Sequence, residues 1–146
     1  MSSSAAFEID FPDVGFREID QEFYKYLVTK DAATPFSGLT MADVFIYAMA
    51  LGFKNGKKIP YQEKERLPHM PANAFNSEMR WLMRSIAITE YEGLEPIIEH
   101  KKVTEIAEAY ANKGIQIIKQ FMDKQTLDLE QDAVFESDLR KQIEKI

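Results

Sequence analysis

The sequence predicts an all-α fold: a compact single-domain bundle of five or six helices around a buried central helix at about 40–54. Three observations carry this. Apolar residues recur at spacings of three and four in successive segments, the period of a helix with one buried face. No run of useful length alternates apolar and polar residues as a half-buried strand would. Leu39 to Lys58, LTMADVFIYAMALGFKNGKK, reads as a capped, almost wholly apolar helix that runs into a short basic turn.

Residues 1–15, with Ser2, Ser3, Ser4, Pro12 and Gly15, read as a flexible N-terminal lead-in to a single helical domain over 16–146. Phe16 to Lys30 is predicted as the first helix, with Ile19, Phe23, Tyr26 and Leu27 forming its apolar stripe. DAATPFSGL, with Pro35 and Gly38, is a loop. Thr40 is placed to cap the second helix, and Asp43 puts a carboxylate at its positive end. VFIYAMALGF is apolar on nearly every face, which predicts burial on most sides, and Asn55-Gly56 supplies the stop.

Residues 57–76, punctuated by Pro60, Pro68 and Pro71, read as a long connection, and such connections are often functional. A third helix is predicted from about Asn76 or Ser77 to Thr89, with Met79, Leu82, Met83 and Ile86 as core stripe and Trp81 beside it. Tyr91-Glu92-Gly93 ends it, and Pro96 suits the first turn of the next segment. From Val103 the pattern is the cleanest in the chain. Val103, Ile106, Ala107, Tyr110, Gly114, Ile117, Ile118 and Phe121 share one face, and Gly114 would let another helix approach closely. A last segment, from about Leu129, carries Phe135, Leu139 and Ile143 at i, i+4 spacing, a narrow stripe on a charged helix.

Composition narrows the function classes. The 146 residues are 45% apolar and 29% charged, an ordinary balance for one globular domain. There is no cysteine, which excludes disulfides, thiolate metal sites and a cysteine nucleophile. The longest apolar run, Val44 to Leu51, is far shorter than the ~20 residues of a membrane span. The N-terminus lacks a basic region followed by a long apolar one. No membrane association and a cytoplasmic location are therefore expected. The net charge of −6 argues against broad, charge-driven nucleic-acid binding. The charge is uneven, however. Glu8, Asp10, Asp13, Glu18, Asp20 and Glu22 face Arg17 alone in the first 22 residues, whereas Lys54, Lys57, Lys58, Lys64 and Arg66 cluster over 54–66.

No catalytic residues, metal ligands or cofactor site emerge. His69 and His100 belong to no ligand motif, no GxSxG is present, and no carboxylate pair sits in an apolar setting. Gly52 to Lys57 has the flavour of a phosphate loop but ends a helix instead of starting one, so its dipole has the wrong sign. The candidate binding residues are the basic turn, Lys54, Lys57, Lys58, Lys64 and Arg66, together with Arg80 and Arg84 one turn apart on the third helix. They would take a phosphate backbone or an acidic partner. The bland alternative is a solvated loop whose lysines complement a helix C-terminus, with Arg80 and Arg84 paired to carboxylates elsewhere in the fold.

Two stretches resemble a known family. TMADVFIYAMALGFKNGKKIP matches on Asp43, Phe45, Ala48, Ala50, Leu51, Gly52, Phe53 and Pro60, and EIAEAYANKGIQIIKQFM matches on Glu108, Tyr110, Ala111, Asn112 and Gly114. Both resemble small proteins that accompany DNA phosphorothioation (Dnd) gene clusters. The resemblance implies an accessory, non-enzymatic role in a DNA modification or restriction system with a part in defence, and carries over no catalytic residues. It points to protein partners in such a complex. Two other readings stay open: direct DNA binding through the basic 54–66 loop, and a structural homo-oligomer of unrelated role, suggested by the stripe near the C-terminus.

Overall fold

The computed structural model describes residues 11–30, 33–92 and 99–144, with side chains at all of these except 68–69 and 125–144. The chain is mostly helical, as the sequence predicts, but it also holds a small antiparallel sheet. Strand β1 is Val14–Arg17 and strand β2 is Arg66–Met70. Val14 pairs with Met70, Phe16 with Leu67 and Arg17 with Arg66, with a register irregularity between Val14 and Phe16. The all-α expectation is corrected on this point. VGFR and RLPHM are too short and irregular to show a period of two, and Pro68 fits because both strands are edges. Gly15 is required by the pairing. A Cβ there would lie 2.6 Å from the Leu67 carbonyl oxygen and 2.8 Å from Arg66 Nε.

The predicted helix at 16–30 starts later than expected. Phe16 belongs to β1, Glu18–Asp20 form a 3-10 turn, and helix α1 spans Gln21–Val28. Its buried residues are Tyr24 and Leu27, while Ile19 and Tyr26 are exposed. The strand takes Phe16 into the core, and the helix that follows is phased on Tyr24. The loop at 57–76 is likewise more ordered than the sequence suggests. It contains a 3-10 turn at Glu63–Glu65, β2, and another turn at Ala72–Ala74.

Helix α2, Met41–Lys54, has the predicted boundaries. Thr40 Oγ1 accepts from the Asp43 N–H at 3.1 Å, and the Thr40 N–H donates to Asp43 Oδ2 at 2.9 Å, a complete capping box. At the other end the Gly56 N–H reaches the Phe53 carbonyl and the Lys57 N–H the Gly52 carbonyl, with Gly56 at φ 64°, a Schellman motif. Ala42, Val44, Phe45, Ala48, Met49 and Gly52 are buried. Burial is not all round, because Tyr47 and Ala50 reach solvent.

Helix α3, Ser77–Tyr91, is capped by Asn76, whose Oδ1 accepts from the Met79 N–H, and ends at Glu92 in the left-handed region. Met83, Ile86 and Ala87 are buried as its core side, but Leu82 and Trp81 are half exposed, contrary to the predicted stripe. Arg80 and Arg84 occupy the buried side in their place. Pro96 lies outside the described residues. Helix α4, His100–Glu144, is one continuous helix of 45 residues, so the expected last segment is its continuation. The described residues thus hold four α-helices.

The closest packing is between α2 and α4. A Cβ on Gly114 would lie 1.7 Å from the Ala48 carbonyl oxygen, and one on Gly52 would lie 2.1 Å from the Tyr110 carbonyl oxygen. Two glycines, one on each helix, thus let backbone touch backbone. The approach expected at Gly114 is the approach of α2. Phe16, Tyr24, Leu27, Phe45, Met49, Phe75, Met83 and Ile115 fill the core around it.

Candidate functional site

Helix α4 carries a second buried stripe beside its apolar one: Thr104, Glu108 and Asn112, at i, i+4 and i+8. Glu108 is only 2% exposed. A carboxylate that deep needs a partner, and Arg66 at the start of β2 supplies it. Arg66 Nε donates to Glu108 Oε1 at 2.8 Å and Nη2 to Oε2 at 3.2 Å, a bidentate pair. Arg66 Nη2 also donates to the Asp13 carbonyl at 2.9 Å, and Glu108 accepts from the Gly15 backbone. Glu108 therefore fastens α4 to both strands, to β2 through Arg66 and to β1 through the Gly15 backbone. Burial pushes the Glu108 carboxyl above the usual carboxylate range, against the pull of Arg66.

A cleft of about 290 Å³ opens beside the pair, with Asp13, Tyr61, Glu63 and Lys101 among its walls. The Tyr61 hydroxyl donates to Glu63 Oε2 at 2.9 Å. Burial, then this bond, pushes Tyr61 up to about 12. A carboxyl with a raised pKa in a cleft is the usual profile of an acid or base catalyst. Here both of its oxygens are held by Arg66. The described residues contain no grouping of histidine and carboxylate side chains that could hold a metal ion.

The predicted basic site divides into three. Lys58 forms an ion pair with Glu90 near the end of α3 and lies 5.8 Å from the centre of the Tyr110 ring. The Tyr110 hydroxyl donates to the other Glu90 oxygen at 2.6 Å. Bonds from Lys58 and Tyr110 hold Glu90 below the usual carboxylate range, while burial and then Glu90 push Tyr110 up to about 12. Lys58 and Arg66 thus clasp α4 two residues apart, at Tyr110 and Glu108. Lys54, Lys57 and Lys64 are exposed.

Arg80 and Arg84 form the third group, away from solvent. Arg84 is 2% exposed. Both guanidinium groups lie over the Phe11 ring, at 5.2 and 5.5 Å, and Arg84 also lies 5.0 Å from the centre of the Trp81 ring. Arg80 Nη2 donates to the Ala72 carbonyl at 2.6 Å. Burial lowers the pKa of both, and for Arg80 the neighbouring Arg84 adds to the effect.

Sequence reasoning missed Glu108, Glu90 and Tyr110 as polar anchors. The signal for Glu108 was present: Thr104, Glu108 and Asn112 recur every four residues along the flank of an apolar helix. Nothing local marks Glu90 as the partner of Lys58 or Arg66 as the partner of Glu108, because those contacts span 32 and 42 residues.

A second cavity, about 330 Å³, is apolar. It lies between α2, α4 and the segment before α2, and its walls include Phe36, Tyr47, Leu51, Ile117, Phe121 and Met122. Tyr47 and Phe121 are 55% and 59% exposed at its edge.

No curated protein and no solved structure matches the chain. Residues 18–144 match the family described as DNA sulphur modification system-associated protein 4. The match spans both blocks on which the Dnd resemblance rests and takes in α1 to α4 with the Arg66–Glu108 clasp. The chain belongs to the family of DNA sulphur modification system-associated protein 4.

Proposed function

We propose that this chain is a non-enzymatic accessory protein of a DNA sulphur modification system, acting in the cytoplasm by holding a protein partner within the modification or restriction assembly and so serving defence. The observation that carries the reading is the family match over 18–144. The chemistry of the polar cleft supports it. Glu108 and Arg66 satisfy each other across α4 and β2, and the Tyr61 hydroxyl is bonded to Glu63, so these groups are engaged with one another. The test is incubation of the purified protein with plasmid DNA under conditions that support the system's chemistry. Unchanged DNA is expected, and cleavage or sulphur incorporation by this protein alone would falsify the reading.

A second reading, direct DNA contact, is favoured by the exposure of Lys54 at the end of α2, Lys57 in the turn that follows and Lys64 in the 3-10 turn at Glu63–Glu65. Three phosphate contacts would give a slope of about −3 in log affinity against log salt, from ~0.9 per phosphate. Lys57→Glu with Lys64→Glu is expected to flatten that slope by about 2. A salt-independent interaction, or one indifferent to these changes, sinks DNA contact at this surface.

A further inference from the structure

We propose that the apolar groove at Phe121 takes the C-terminal stripe of α4 from a second copy of this chain, two copies pairing antiparallel along that helix. This inference is independent of the accessory role and concerns the state in which the protein exists.

Length gives the first argument. A helix of 45 residues is about 68 Å long at 1.5 Å per residue. A globular body of this chain length has a diameter of about 38 Å, from the usual scaling of the radius of gyration. About 20 residues of α4 therefore exceed the body. The core residues of α4 with described side chains fall between Val103 and Met122. A charged helical extension of ~20 residues is marginal alone in water, and helices of that kind owe their stability to an apolar face that packs.

Phase gives the second. Phe121 and Leu139 are eighteen residues apart, five full turns, so they lie on one line along the helix. Ile117 and Phe135 sit about 40° to one side of that line, and Ile143 about 40° to the other. The groove wall and the sequence stripe are thus one continuous face. The chain cannot fill its own groove with its own stripe, because a continuous helix holds Leu139 about 27 Å along the axis from Phe121. A second copy can. A two-fold axis near residue 130 sets residue 139 of each copy against residue 121 of the other, an isologous arrangement that closes as a dimer. The occupant has the chemistry the groove asks for: three apolar residues against Phe36, Tyr47, Leu51 and Ile117.

Charge adds a signature. Asp128 and Asp132 flank residue 130 in the sequence, so an axis there brings like charges together, and pairing is driven by apolar burial against like-charge repulsion. Association is expected to tighten as salt rises.

The test is sedimentation equilibrium of the full chain over a dilution series. The expected mass at the concentrated end is twice the 16.9 kDa of one chain. Phe121→Glu and Leu139→Glu are each expected to weaken association at least tenfold. Because a variant can fail to fold, register is read separately. The chain has no cysteine, so Phe121→Cys and Leu139→Cys proteins are mixed and oxidised. A mixed disulfide dimer is expected to dominate over either homodimer. A single-chain mass throughout, dissociation by added salt, or disulfide joining 139 to 139 in preference to 121 would each overturn the proposal.

Discussion

Glu108 and Arg66 show how one buried charge organises its surroundings. The carboxylate is placed by α4 and the guanidinium by β2, and both lose water on meeting. Removing one partner leaves the other charge buried, which costs far more than removing both. Arg66→Met is therefore expected to destabilise by about 3 kcal/mol. Glu108→Leu added to it should recover most of that loss, read as the urea midpoint at constant slope. Equal stability of the single and double variants would show that the pair is not desolvated.

The same carboxyl sets a pH dependence with a definite sign. Burial raises its pKa in the folded state above the ordinary value of 4.5. The folded protein then holds this proton more tightly than the unfolded chain. The resulting contribution is fully present below the unfolded value and is lost as pH rises through the folded one. Glu90 runs the other way. Its pKa is lowered, so its contribution is present above 4.5 and fades as pH falls through its folded value. Relative to Glu108→Gln, the parent protein is expected to lose stability as pH rises from about 4 upward. An unchanged difference between the two across that range would contradict the assignment.

At the scale of elements, the meeting of α2 and α4 decides the architecture. Gly52 and Gly114 are irreplaceable for a steric reason, since each Cβ would collide with backbone that has no side-chain freedom to move. Gly52→Ala and Gly114→Ala are each expected to cost about 3 kcal/mol or more, at the upper end of overpacking penalties. Gly56→Ala has open space around it and meets only the left-handed backbone penalty, about 1 kcal/mol. Thermal melting that ranks Gly56→Ala as the worst of the three would refute this account of the contact.

Legibility followed locality. α2 was readable end to end because its cap, its apolar body and its Asn55-Gly56 stop are all local signals. Gly114 was readable as a contact point because it interrupts an apolar stripe. The sheet was not readable. Phe16 looks like the start of a helical stripe, and only its pairing with Leu67, some fifty residues away, makes it a strand residue. Arg80 and Arg84 misled for a related reason. Their positions on the buried side of α3 follow from the Phe11 and Trp81 rings over which they lie, and charge alone suggests the surface. The basic turn was legible as a cluster of charge, but not as a structural clasp, because Glu90 and Glu108 answer it from distant parts of the chain.

At the scale of the whole molecule, the charges that converge on the middle of α4 are consumed in building the protein, and two outward-facing features among the described residues bear on its contacts. One is the exposed set Lys54, Lys57 and Lys64. The other is the apolar groove with Tyr47 and Phe121 at its edge. No helix among the described residues is long and apolar enough to cross a membrane. The proposed accessory role is that of a family member held by other proteins of the DNA sulphur modification system. The measurement that tests it most directly is capture of the tagged full chain from its native host, with and without nuclease, followed by identification of the co-purifying proteins. Proteins of the DNA sulphur modification or restriction machinery are expected in both samples. Their loss on nuclease treatment, or their absence from both, would contradict the proposed role.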